Sequence, residues 1–289
     1  MGVALAGSSA LAQSKATTDS TKLDESEPTQ RFTYGVTGGA MTFPDGRAQQ
    51  SAGAVFRFHL PYGLAIAATP ATAHMQYPTA IGGGTASGLT DLPLSFSVDH
   101  DIPHTPVSLG AEFAASVPVG DTATGFGSGK VGYSLSGGVN FSANDRLSFH
   151  VGAGRPLSDF SFQSPMGGSS SAWGDAEASY QLNDRFGVSL SMDSDLSSQD
   201  SLGASRAIGA GLSVALVGPT TLTITGGHGV SGAAARWTTA VGIGTDFAWI
   251  GSVASSSAMQ RVVAALGGRS HSHSGHGKSV TTTTAGRKG

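Results

Sequence analysis

From Arg31 onward, this chain repeatedly alternates an apolar residue with a small or polar one, in runs of up to about ten residues. Phe32, Tyr34 and Val36 alternate with Thr33, Gly35 and Thr37; Phe56, Phe58 and Leu60 alternate with Val55, Arg57 and His59. A period of two sends the two sets to opposite faces of an extended strand, whereas a helix repeats near 3.6. The pattern covers 32–36, 54–60, 64–68, 92–98, 107–117 and 131–141, then 147–151, 176–182, 186–192, 208–216, 222–224 and 237–247. These are twelve runs, an even number.

The two faces differ in a way that narrows the fold. Residues between the apolar ones are nearly all Gly, Ser, Thr, Asn or a charge, and only 12% of the chain is charged. A soluble β-sandwich, the alternative all-β fold, buries one face and charges the other. An apolar, aromatic-tipped face towards lipid and a small polar face towards a lumen explain both patterns, and strands of about ten residues cross an outer membrane at a tilt. The expected fold is therefore all-β: a closed antiparallel transmembrane β-barrel of about 12 strands.

Composition removes other classes. With no Cys among 289 residues, there is neither a disulfide framework nor a thiolate metal site. A net charge of −3 and no Lys/Arg cluster leave no field for nucleic acid. No apolar run is long enough for a transmembrane helix.

The connections alternate too. Short ones fall near Pro61, His100, Asn144, Asn183 and Gly218; longer ones are expected at 41–50, 71–88, 119–128, 156–171 and 196–202, with a last short one at 231–235. Outer-membrane barrels have short periplasmic turns and longer outside loops. The phrase Asn-Asp-Arg occurs at Asn144–Arg146 and again at Asn183–Arg185, each time before an alternating run. Asn and Asp bond their own backbone and tolerate left-handed geometry, so both phrases read as tight turns at the periplasmic end.

Four segments follow. Residues 1–12 read as the remnant of a signal peptide, ending in the small-x-small pattern Ala10-Leu11-Ala12. Residues 13–30 read as a disordered polar linker, 31–250 as the barrel, and 251–289 as a low-complexity tail rich in His, Ser and Thr. That tail carries His271, His273 and His276, weak candidates for a metal site, although a plain polar tail is the better reading. Gly82–Gly84 and Gly125–Gly129 resemble phosphate loops only superficially, since neither lies between a buried parallel strand and a helix.

Three stretches carry a family resemblance: "SGLTDLPLSFSV" at 87–98, the paired Asn-Asp-Arg turns, and "HGVSGAAARWTTAVGIGTDF" at 228–247. Together they resemble the outer-membrane transporter family associated with the meta-pathway of phenol degradation, over about residues 31–250. The resemblance implies an outer-membrane barrel with a transport role and leaves the cargo open. One departure is that the chain runs on past Phe247 and Trp249, where such barrels usually end on an aromatic residue.

Strand parity sorts the charged residues. Arg57, His59, Glu112, Lys130, Asp175, Glu177, Asp193 and Asp195 fall on the inward parity as candidate pore-lining residues. Their alternative role is a salt-bridge lattice, Arg57 or Lys130 against Glu112 or Glu177, that plugs the lumen. His150 shares the inward parity and is expected to be a hydrogen-bonding lumen residue. His228, with Ser231 three residues on, is the sole hint of a lipid-modifying barrel enzyme, and a loop edge is the stronger reading.

The sequence thus predicts a non-enzymatic barrel, with no cofactor, in a bacterial outer membrane, passing small, hydrophobic or aromatic molecules. Its expected partners are outer-membrane lipid and lipopolysaccharide, a small-molecule solute and the barrel-assembly machinery, with no nucleic acid. A plugged barrel displaying surface loops is the alternative.

Overall fold

The computed structural model describes residues 32–157, 172–196, 205–231 and 234–245. The expected signal remnant, linker and tail lie outside the described residues, with His271, His273 and His276. Fourteen strand segments are present: β1 (Phe32–Thr42), β2 (Ala48–His59), β3 (Leu64–Ala68), β4 (Ala71–Gln76), β5 (Thr85–Leu89), β6 (Leu92–Asp101) and β7 (Val107–Val117), followed by β8 (Gly132–Ser142), β9 (Leu147–Pro156), β10 (Trp173–Gln181), β11 (Phe186–Asp195), β12 (Arg206–Ala215), β13 (Thr220–Ser231) and β14 (Trp237–Thr245). All pairings are antiparallel, and β1 bonds to β2 on one edge and to β14 on the other, Gly35 lying opposite both Val55 and Gly244. That double pairing closes the sheet and rules out the sandwich.

The wall has twelve strands, because two of them are each broken once. β3 and β4 both pair with β2, and the break between them falls at Thr69-Pro70. Pro70 has no N–H to give to a ladder, yet its carbonyl still accepts from the Ala54 amide at 3.0 Å. Beside it, β5 pairs with β4 and β6 pairs with β3, with a break at Thr90-Asp91. Twelve strands are what the alternation predicted.

Two expected loops are corrected. Most of 71–88 is not loop: β4 and β5 form a hairpin joined through a short 3-10 turn at Thr79–Ile81. The 41–50 connection shrinks to 43–47, since Thr42 still pairs with Ala48. Register against β2 extends both hairpins beyond the apolar alternation, which is a local signal and stops at the edge of the lipid band. The 119–128 loop is present within 118–131; residues 158–171 and 197–204 lie outside the described residues.

The repeated turns are built alike. Asn144 Oδ1 accepts from the amides of Arg146 (2.9 Å) and Leu147 (3.0 Å), and Asn183 Oδ1 accepts from those of Arg185 (2.9 Å) and Phe186 (3.1 Å). In each, the residue before Asn closes the hairpin, Ala143 to Leu147 and Leu182 to Phe186, both at 2.9 Å. The turn at Gly218 replaces the Asn side chain with a left-handed glycine, φ +62°.

Outward residues of the lower barrel are large and exposed, among them Tyr34, Phe58, Phe96, Val151, Leu190 and Val241. The faces change chemistry towards the upper end of β1, β2, β4 and β5. There the outward positions are Thr42, Gln50, Thr72, His74 and Gln76, and His74 bonds Ser87 across the hairpin at 2.6 Å. Inward, Met41, Ala73 and Met75 are buried in an apolar cluster with Phe43 and Phe126. A lipid-facing barrel therefore passes into a water-facing rim with its own small core.

Candidate functional site: the lumen and its outer mouth

Small inward residues make room for a few large polar ones. Ser97, Ser134, Ser148, Ser179, Ser189 and Ser213 are buried along the inner wall, and Arg57, Asp175 and Glu177 are buried among them. A lumenal cavity of about 90 Å³ lies beside Asp99, Glu112, Asn140, His150 and Asp175.

His150 and Asp175 form the centre of this lining. On neighbouring β9 and β10, Nε2 of His150 lies 3.3 Å from Oδ2 of Asp175, an ion pair when the ring is protonated. The other ring nitrogen, Nδ1, is 2.8 Å from Oδ1 of Asn140, directly opposite on β8. Glu177, opposite His150, accepts from the Ser179 hydroxyl at 2.7 Å.

Glycines let these side chains lie along the wall. A Cβ on Gly152 would stand 2.9 Å from both His150 Nε2 and Asp175 Oδ1, and one on Gly138 would stand 2.6 Å from His150 Cε1. Trp173 lies over Gly154, its register partner, so closely that a methyl there would overlap the indole. Glycine inside a strand here marks the close approach of a neighbour. The lumen keeps free space because its bulkiest groups lie flat.

On the other side of the cavity, Arg57 of β2 reaches past β3. Its guanidinium donates to Ser97 Oγ at 3.1 Å and to Asp99 Oδ2 at 3.3 Å, both on β6. The inward residues of the intervening strand are Ala65 and Ala67, small enough to be bridged.

The sequence-derived pore candidates sort as follows. Arg57, Asp175 and Glu177 are buried on the inner wall; His59, Asp193 and Asp195 are partly buried on inward parity, and Glu112 lines the cavity. Asp175 and Asp193 are direct neighbours across β10 and β11, and Asp195 lies opposite Trp173. Lys130 is corrected: it is exposed in the 118–131 connection, where its amide bonds Ser128 Oγ at 3.2 Å, because β8 begins only at Gly132. His228 is half-buried, lies against Trp237 with centroids 4.4 Å apart and the rings tilted by 42°, and donates from Nδ1 to the Arg236 carbonyl at 2.6 Å.

Three residues escaped the sequence reading. Asp99 has inward parity but was cut off by a turn expected at His100, whereas β6 runs to Asp101. Asn140 stands among the small polar residues of β8, and its parity places it inward. Asp91 stood in plain view in the Gly88-Leu89-Thr90-Asp91-Leu92 stretch, with no local signal of its role.

That role concerns the outer mouth. Asp91 is fully buried at the break between β5 and β6. Oδ1 accepts from the amide of Gly120 at 3.0 Å and Oδ2 from that of Ser128 at 2.7 Å, so one carboxylate holds both arms of the 118–131 loop. Gly120 and Gly127 meet backbone to backbone, where a Cβ on Gly127 would overlap the Gly120 carbonyl. The loop lies on the inner face of β5: a Cβ on Gly88 would stand 3.0 Å from Thr124 Oγ1 and 3.2 Å from the Phe126 ring. From there Phe126 enters the cluster of Met41, Phe43, Ala73 and Met75, at 1% exposure.

No protein-family model matches this chain, and no curated protein matches it in sequence. Solved structures do match in fold. The barrel is similar to the COG4313 outer membrane channel from Pseudomonas putida F1, with a TM-score of 0.60 at 12% identity, covering 78% of this chain and 99% of that one. It is also similar to the NanC porin, with a TM-score of 0.50 at 11% identity, covering 73% of this chain and 98% of the porin. The fold is that of outer-membrane channels and porins.

Proposed function

We propose that this protein is a passive channel for small molecules in a bacterial outer membrane. The observation that carries this reading is the opposition of faces: a polar, cavity-bearing inner wall enclosed by an exposed apolar band. Solutes cross by diffusion, and no covalent step is assigned to the barrel. Small aromatic or otherwise hydrophobic cargo is the finer proposal; it rests on the sequence resemblance to the phenol-associated transporter family. Lipid and lipopolysaccharide surround the band, and the barrel-assembly machinery inserts it.

A second reading has its own support: the 118–131 loop turns inward against β5 and buries Phe126 at the outer end, which suits a plugged barrel that displays loops. Refolded full chain in a planar bilayer separates the two. Conductance steps proportional to salt, together with liposome swelling by a small aromatic alcohol, support the channel. A barrel that shows heat-dependent gel migration, and is therefore folded, yet stays silent to ions and solutes supports the plugged reading.

A further inference from the structure

We infer that Asp91 and Phe126 set the size limit of the outer mouth, by holding the 118–131 loop across it. This rests on the channel reading above and assigns the residues that decide which solutes enter.

The geometry is specific. The loop leaves the wall after β7 and returns at β8, yet Phe126 is buried in one cluster with Ala73 and Met75 of β4 and Met41 of β1, so the loop reaches inward past the face of β5. A loop of this length does not hold such a path unaided, because ordering its backbone costs conformational entropy at every residue. Three contacts supply the restraint. Asp91 binds the two arms through Gly120 and Ser128, Phe126 is buried in an apolar cluster, and Gly88 leaves room for Thr124 against β5. Asp91 itself is placed by the strand break: Thr90 bonds the Ala71 carbonyl through its amide at 3.0 Å and its hydroxyl at 3.2 Å. The next residue then turns its carboxylate to the loop. An anionic acceptor makes stronger bonds to backbone amides than a neutral one.

The break that gives the wall its irregularity is thus also the anchor of the cap. Among the described residues, this loop and cluster stand inside the top of the wall, and the polar lumen lies below them. Losing either the anchor or the plug frees the loop and admits larger solutes, without touching His150, Asp175 or Arg57.

The test compares full-length wild type with Asp91→Ala and Phe126→Ala, each checked for heat-dependent gel migration. Liposome swelling is measured with sugars of increasing size. Both variants should swell severalfold faster than wild type with the larger sugars and differ little with the smallest. The chain has no native cysteine, so Gly88→Cys with Thr124→Cys in the Asp91→Ala background gives a reversible tether. Oxidation should return the size limit towards wild type, and reduction should release it. A folded Phe126→Ala barrel with the wild-type size limit overturns the inference while wild-type permeation keeps the channel reading. Wild type and all variants folded but impermeable to every sugar and to ions overturn both. Should Asp91→Ala fail to fold, Phe126→Ala carries the comparison alone.

Discussion

His150 and Asp175 face each other across two neighbouring strands, with Nε2 3.3 Å from Oδ2, at the edge of the lumenal cavity. Asp175, Glu177, Asp193 and Asp195 extend this acidic surface along β10 and β11, with the His150 imidazole beside it.

Removing the His150 ring takes away the group paired with Asp175, and with it a positive charge whenever the ring is protonated. His150→Ala is expected to raise the preference for cations, read as a shift in reversal potential under a salt gradient. Replacing all four acids by their amides should shift it the opposite way. An unchanged reversal potential in the fourfold variant would mean the acids do not govern ion passage.

The glycine floor makes a separate prediction. In Gly152→Ala the new methyl group meets both His150 and Asp175, which then turn away from the wall into the lumen. Conductance should fall although the substitution adds no charge. Gly226→Ala, on the outward face of β13 with its nearest neighbour at 3.8 Å, is a control for the added methyl and should conduct as wild type.

Orientation of the faces is tested on one strand. Leu190 is 67% exposed and Ser189 is 3% exposed on β11. Leu190→Arg puts a charge into lipid, costing about 2–4 kcal/mol if near the bilayer midplane. The measurement is urea-dependent folding into lipid vesicles. A cost near zero would place this face in water.

The two Asn turns predict parallel losses. Asn144→Ala and Asn183→Ala each remove two side-chain bonds to backbone amides, in turns linked through Gln181, whose amide donates to the Arg146 carbonyl at 2.7 Å and whose side chain donates to the Asn183 carbonyl at 2.6 Å. Each should lower stability by about 1 kcal/mol, discounted from buried bonds because the turns are exposed, and the double variant should depart from the sum by the coupling through Gln181. The same folding titration reads this, and conductance should be unaffected.

Much of the barrel was written locally. Strand parity is fixed by each residue's neighbours, so Phe58 outward and Arg57 inward followed from alternation alone, as did the inward placement of His150 and Asp175. The Asn-Asp-Arg turns were legible for the same reason: Asn144 bonds residues two and three positions away. Pairing between distant strands carries no such local mark. The β4–β5 hairpin exists because β2 offers a ladder for β4 to extend, Arg57 meets Asp99 only because β3 is narrow enough to be bridged, and Asp91 finds Gly120 and Ser128 only when β7 and β8 have brought that loop back over the mouth. The sequence by itself determined which side chains face lipid and which face inward, through a backbone period of two. Which inward groups meet, where the wall breaks and where the 118–131 loop is anchored were decided by closure, which brings together residues far apart in the chain.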